Sequence, residues 1–167
     1  MVIFTKEECE YIKSFYYTEK ESSSNDVQHY GDVSIKFSNS SAKFISTTNK
    51  ELIEFLLNKL KPYGIKSIPM VKFMRYQTGD SLARHTDFDK YGVDKIYKTF
   101  LIQMSNSEDY VGGDLIVGKD VQSREQGWLS IINPTTPHEV TKMISGERIS
   151  LVLFLSGENL DLKKSLI

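Results

Sequence analysis

The sequence predicts an α+β protein in which two amphipathic helices precede a jelly-roll core, a double-stranded β-helix of short antiparallel strands. Three observations carry this reading. Two capping signatures, at Thr5 and Thr48, each lead into apolar residues at helical spacing. From Ser67 the texture changes to short apolar runs punctuated by Gly79, Gly112-Gly113, Gly127 and Gly146. The last run, 149–155, is apolar on both faces apart from Ser150, as expected of a strand held between layers.

The elements follow in order. Thr5-Lys6-Glu7-Glu8 reads as a capping box, and Cys9, Ile12, Phe15 and Tyr16 then recur on one helical face. Thr48-Asn49-Lys50-Glu51 repeats that signature ahead of Leu52, Leu56 and Leu60, and Pro62 with Gly64 ends the second helix. Both helices are expected to cover a sheet. Glu21 to Asp26 reads as a polar loop, 32–37 as a possible strand, and His29 as a surface residue. Further strands are expected near 69–77, 96–104, 115–117, 128–133, 138–143 and 148–155. The chain of 167 residues is expected to be one domain, with helical support over 1–66 and the catalytic core over 67–156.

Composition excludes several classes. A net charge of -1, with no basic block longer than Lys163-Lys164, argues against a binder that works by phosphate neutralisation. A single cysteine, Cys9, rules out an internal disulfide and leaves too few thiolates for an iron–sulfur cluster. It sits at an apolar helical position and reads as core. No apolar run approaches membrane-spanning length. The expectation is a cytoplasmic protein with no nucleic-acid, membrane or obligate protein partner.

Chemistry concentrates in two places. His85-Thr86-Asp87 sets an imidazole and a carboxylate at i and i+2, which in extended backbone point to one side. His138 stands at the start of a later strand. Two neutral nitrogens and one anionic oxygen suit non-haem iron(II), because they hold one octahedral face and leave the rest for a bidentate acid and O2. Ten residues on, Arg148 and Ser150 share one face of the apolar last strand with Val152 and Phe154. A guanidinium aimed inward is costly unless it meets an anion, and its fork fits a carboxylate.

The run from Met74 to Asp87, with Arg75-Tyr76, Gly79 and His85-x-Asp87, resembles the R-Y-x-x-G-x(5)-H-x-D segment of prolyl 4-hydroxylase-like 2-oxoglutarate/iron(II) dioxygenases. Gly112-Gly113-Asp114, the strand from Gly127 to Asn133 leading to Pro137-His138, and Gly146-x-Arg148-x-Ser150 are similar to further segments of that family, in its order. The resemblance implies that His85, Asp87 and His138 hold Fe(II), that Arg148 and Ser150 bind the 5-carboxylate of 2-oxoglutarate, and that Tyr76 and Thr99 lie along the cosubstrate pocket. It further implies O2 as cosubstrate, ascorbate as a reductant, and hydroxylation of a C–H bond, with succinate and CO2 released. Retention of Asp87 favours hydroxylation, since halogenating relatives lack that carboxylate.

Two departures stand out. Leu82 replaces a tyrosine of many relatives, and Gln103 falls where many carry a tyrosine bonded to the 5-carboxylate. Gln103 shares a strand face with Thr99 and Leu101 and is expected to substitute as donor. The substrate therefore stays open between a peptidyl residue such as proline and a free amino acid or small metabolite. A zinc hydrolase and a silent metal-binding module are the alternatives outside this chemistry. Residues 87–95 are positioned either as a substrate lid or as a linker. Asp87 and Asp89 lack the opposed placement of a glycosidase pair. Trp128 and Phe154 read as apolar packing.

Overall fold

Thr5 accepts from the Glu8 amide at 3.1 Å while Glu8 Oε1 accepts from the Thr5 amide at 2.9 Å, so the predicted capping box starts the first helix. The computed structural model describes residues 1–18, 41–87, 96–161 and 163, and the backbone of three short strands between 22 and 35. Helix α1 covers Lys6–Ser14 and α2 covers Lys50–Leu60. The second cap sits one residue later than expected. Asn49 accepts from the Leu52 amide at 3.1 Å, and Leu52 at the third helical position has no acceptor with which to close a box. Gly64, with φ at 87°, donates to the Lys61 carbonyl and ends the turn that follows α2. No described helix is long and apolar enough to cross a membrane.

The strands are β1 (Ser22–Ser23), β2 (Gln28–Tyr30), β3 (Val33–Ile35), β4 (Lys43–Thr47), β5 (Val71–Tyr76), β6 (Leu82–His85) and β7 (Lys98–Gln103). There follow β8 (Tyr110–Gly112), β9 (Leu115–Val117), β10 (Asp120–Val121), β11 (Leu129–Ile132), β12 (His138–Val140), β13 (Met143–Gly146) and β14 (Arg148–Leu155). One antiparallel sheet runs β1-β4-β5-β14-β7-β11 and a second runs β10-β9-β12-β6, with β13-β8 and β2-β3 as separate pairs. The class is α+β.

Several expectations need correction. The first 66 residues are not helical support alone, because β4 pairs with β5 at five positions. The strand expected over 138–143 is two. Thr141 leaves the ladder, its amide donating to the Asp114 carbonyl, and Met143 starts β13 against β8. The backbone of His29 lies in β2, paired with Ser34. The segment weighed as a lid falls, from 88 to 95, outside the described residues.

Strand periodicity divides the large sheet into two chemical surfaces. Ile149, Leu151, Leu153 and Leu155 of β14 join Phe73, Phe100 and Ile102 in a core closed by Leu52, Leu56 and Leu60 of α2 and Cys9 and Ile12 of α1. The alternate residues, Arg148, Ser150, Val152 and Phe154, face away from the helices. That second surface carries the chemistry.

Candidate metal centre

His138 of β12 stands directly opposite His85 of β6, and this cross-strand pairing brings the two imidazoles to a centroid separation of 4.4 Å. Strand β6 ends at His85, so Asp87 reaches the rings from the turn after the strand and not from within it. Its Oδ1 lies 3.6 Å from His85 Nε2 and 3.5 Å from His138 Nε2. Those gaps are long for hydrogen bonds. They suit ligand atoms that surround an ion, and the three lie within 4.8 Å of one another.

The ring orientation supports that use. His85 Nδ1 is 2.7 Å from the Ala83 carbonyl and His138 Nδ1 is 3.0 Å from the Thr136 carbonyl. A carbonyl only accepts, so each Nδ1 carries a proton, and Nε2 is left as the ring atom that can ligate a metal. Asp87 is 1% exposed and receives a 2.6 Å hydrogen bond on Oδ2 from the Thr99 hydroxyl. Burial alone would raise its pKa, but in the metal-free site the N–H groups of protonated His138 and His85 and the Thr99 hydroxyl outweigh it and hold the carboxyl well below the usual range. Thr99, expected along the cosubstrate pocket, lines the cavity at the triad as well as donating to Asp87.

The triad opens into a cavity of about 440 Å³, counting its mouth, between the two large sheets. Met74, Tyr76, Leu101, Leu115 and Val152 give it largely apolar walls. One wall residue was missed in the sequence. Lys72 of β5 is 2% exposed, its Nζ 4.5 Å from the centroid of the Phe44 ring and 5.8 Å from that of Phe154. Burial pushes this ammonium down to about 7, against the pull of Asp87. The alternation that flagged Arg148 applies equally to Lys72-x-Met74-x-Tyr76.

Arg148 begins β14 opposite Tyr76 and is 3% exposed. Its Cζ lies 5.3 Å from the Tyr76 ring centroid, and burial raises that phenol to about 12, so it stays protonated. Arg148 Nε donates to Gln103 Oε1 at 3.1 Å, while Gln103 Nε2 donates to Tyr110 Oη at 2.9 Å and to the Ser105 carbonyl at 3.1 Å. Both Gln103 amide hydrogens are therefore engaged, and Gln103 positions Arg148 in place of serving as a carboxylate donor itself. Arg148 Nη1 and Ser150 Oγ are buried with no hydrogen-bond partner among the described residues. Glu147, a conceivable partner for Arg148, pairs with Arg75 at 3.4 Å. Leu82 lines the cavity where a tyrosine would have added a hydroxyl.

No protein-family model matches the chain, and no curated protein matches it. Solved structures do. An oxidoreductase of the 2OG-Fe(II) oxygenase family from Burkholderia pseudomallei is similar at 16% identity and a TM-score of 0.62, over 98% of this chain and 85% of that one. The viral collagen prolyl hydroxylase of Paramecium Bursaria Chlorella virus-1, in its 2OG complex, matches at 17% identity and 0.59, over 91% and 90%. A Pseudomonas putida prolyl-4-hydroxylase matches at 18% identity and 0.51, over 70% of each chain. At these identities the likeness is one of fold, and function has to be argued from the site.

Proposed function

We propose that this chain is an iron(II)- and 2-oxoglutarate-dependent oxygenase on a double-stranded β-helix, hydroxylating a C–H bond of a peptidyl residue such as proline. The observation that carries the reading is the pair of unpartnered buried polar atoms, Arg148 Nη1 and Ser150 Oγ, on the strand face that leads to the triad. A buried donor without an acceptor is costly, and a carboxylate placed there satisfies both atoms. A zinc hydrolase gives Arg148 and Ser150 no task.

His85 Nε2, Asp87 Oδ1 and His138 Nε2 would hold the metal, their other polar atoms being fixed by Ala83, Thr99 and Thr136. Arg148 and Ser150 would bind the distal carboxylate of 2-oxoglutarate, with Gln103 and the Tyr76 ring holding the guanidinium in place. Iron(II), 2-oxoglutarate and O2 supply the oxygenation, with succinate and CO2 as the other products. The apolar side chains of Leu101, Leu115 and Val152 exclude water around the reacting groups. Within the same chemistry a free amino acid or small acid is the second reading. Lys72 favours it, because a cation in the cavity wall suits a substrate that carries its own carboxylate.

The test supplies anaerobic protein with iron(II), ascorbate and 2-oxoglutarate, admits O2, and follows succinate with and without a panel of peptides and amino acids. Succinate above metal-free controls is expected. No succinate under any condition, together with no measurable binding of 2-oxoglutarate, would remove the oxygenase reading.

A further inference from the structure

Trp128 is the protein's single tryptophan, and its Nε1 is buried with no hydrogen-bond partner. An indole nitrogen can only donate, so this group calls for an acceptor that the described residues do not provide. The residue is placed with some care. Gly127 and Trp128 together oppose Gln103, the Gly127 amide donating to the Gln103 carbonyl at 2.7 Å and the Gln103 amide to the Trp128 carbonyl at 2.9 Å. This is a one-residue bulge, a device that re-aims a side chain. Gly127 has φ at 87°, and a Cβ there would run into the Phe4 carbonyl oxygen, so glycine is needed for the bulge to form.

Trp128 lines a small cavity together with Arg148 and Gln103. This cavity shares Leu101 and Leu115 with the walls of the metal-centre cavity. No acid lines it among the described residues. Several of its other polar groups already have partners. Arg124 is held by Asp114 and by the Gly112 and Tyr110 carbonyls, and Gln122 Oε1 accepts from Ser130. Arg148 Nη1 and Trp128 Nε1, both buried and without a partner among the described residues, belong to residues that line this one cavity. Ser150 pairs with Gln103 across the ladder, beside this cavity, and lines the adjoining metal-centre cavity.

We propose that Trp128 Nε1 donates to the distal carboxylate of the cosubstrate, as a further binding group beside Arg148 and Ser150. This deepens the oxygenase reading and rests on it. A carboxylate offers about four lone-pair sites, enough for all three groups. The indole supplies the donor that Gln103, engaged in holding Arg148, does not.

A lone tryptophan makes the proposal directly testable in the full-length, zinc-loaded protein, with zinc as a diamagnetic stand-in for iron. The probes are 2-oxoglutarate and 2-oxopentanoate, which differ only in the distal carboxylate. The single indole N–H resonance should move downfield with 2-oxoglutarate and hold its position with 2-oxopentanoate. Trp128→Phe should weaken 2-oxoglutarate about tenfold to a hundredfold, the span of one hydrogen bond to a charged acceptor, and leave 2-oxopentanoate within about twofold. Binding of 2-oxoglutarate to the wild type with an unmoved indole resonance overturns the role of Trp128 alone. An equal loss of both probes in Trp128→Phe overturns it too, since that marks a packing role. Failure of the wild type to bind 2-oxoglutarate at all overturns the oxygenase reading with it. The wild-type spectrum decides the matter even if the variant does not fold.

Discussion

Replacing Lys72 with methionine should stabilise the metal-free protein, and by an amount that depends on pH. The ammonium is 2% exposed and burial brings it from 10.5 down to about 7. The folded state thus releases a proton that the unfolded chain keeps up to pH 10.5. Below pH 7 both states are protonated and the folded state carries the whole cost of the buried charge. From pH 7 to 10.5 the unfolded state binds more protons, so stability rises with pH. A displacement of ~3.5 units at ~1.36 kcal/mol each bounds the cost at about 5 kcal/mol. Methionine keeps the apolar stem against Phe44 and Phe154 and removes the charge. Urea unfolding at pH 6 and pH 9.5 should therefore give Lys72→Met an advantage that shrinks by about 3 kcal/mol between the two. An equal advantage at both pH values would refute the reasoning, and so would a destabilised variant at pH 6.

Other residues give further expectations. Thr99→Val removes the 2.6 Å bond to Asp87 with little change of volume, so metal affinity should fall roughly 10- to 100-fold in a metal titration while the melting temperature stays near wild type. Arg148→Ala should weaken 2-oxoglutarate binding by about a hundredfold and iron binding by far less, read by calorimetry with each ligand; equal losses would contradict its assignment. Leu56→Ala, at a fully buried position on α2, should cost about 2–5 kcal/mol in denaturant unfolding without altering metal affinity, because the helices pack on the face of the sheet away from the cavity.

What could be read from the sequence was what local pattern encodes. The alternation of β14, with Arg148 and Ser150 on one face, survives into three dimensions because strand periodicity decides it, whereas the motif that joins Asp87 to His85 and His138 survives although Asp87 lies in the turn after β6. The short strands β4, β6, β8 and β13 were not legible. They carry little alternation, and their partners' ladders make them strands. The roles of Thr99 and Gln103 were hidden for a related reason. Thr99 meets Asp87 only when the second sheet closes over the first, and Gln103 is occupied by Tyr110, seven residues on in an unpredicted strand. Lys72 was legible in principle, by the reasoning applied to Arg148, but Val71 and Phe73 make the segment look uniformly apolar.

Strand β14 shows how the two halves of the argument depend on each other. Its odd-numbered residues, Ile149 to Leu155, are locked between neighbours and helices, each at most 2% exposed. Each such apolar side chain contributes about 1.5–3 kcal/mol by leaving water. Its even-numbered residues include a buried guanidinium and a buried hydroxyl, whose open bonding capacity costs about 1–3 kcal/mol per atom. The helix-facing side thus offsets what the cavity-facing side costs. Two buried polar groups with open bonding capacity can persist on this strand because it is overdetermined on its other face. The glycine that precedes it serves the same end. Gly146, with φ at 83°, lets the chain pass against the Asp109 carbonyl where a Cβ would clash, and Arg148 enters the strand at the register that points it inward.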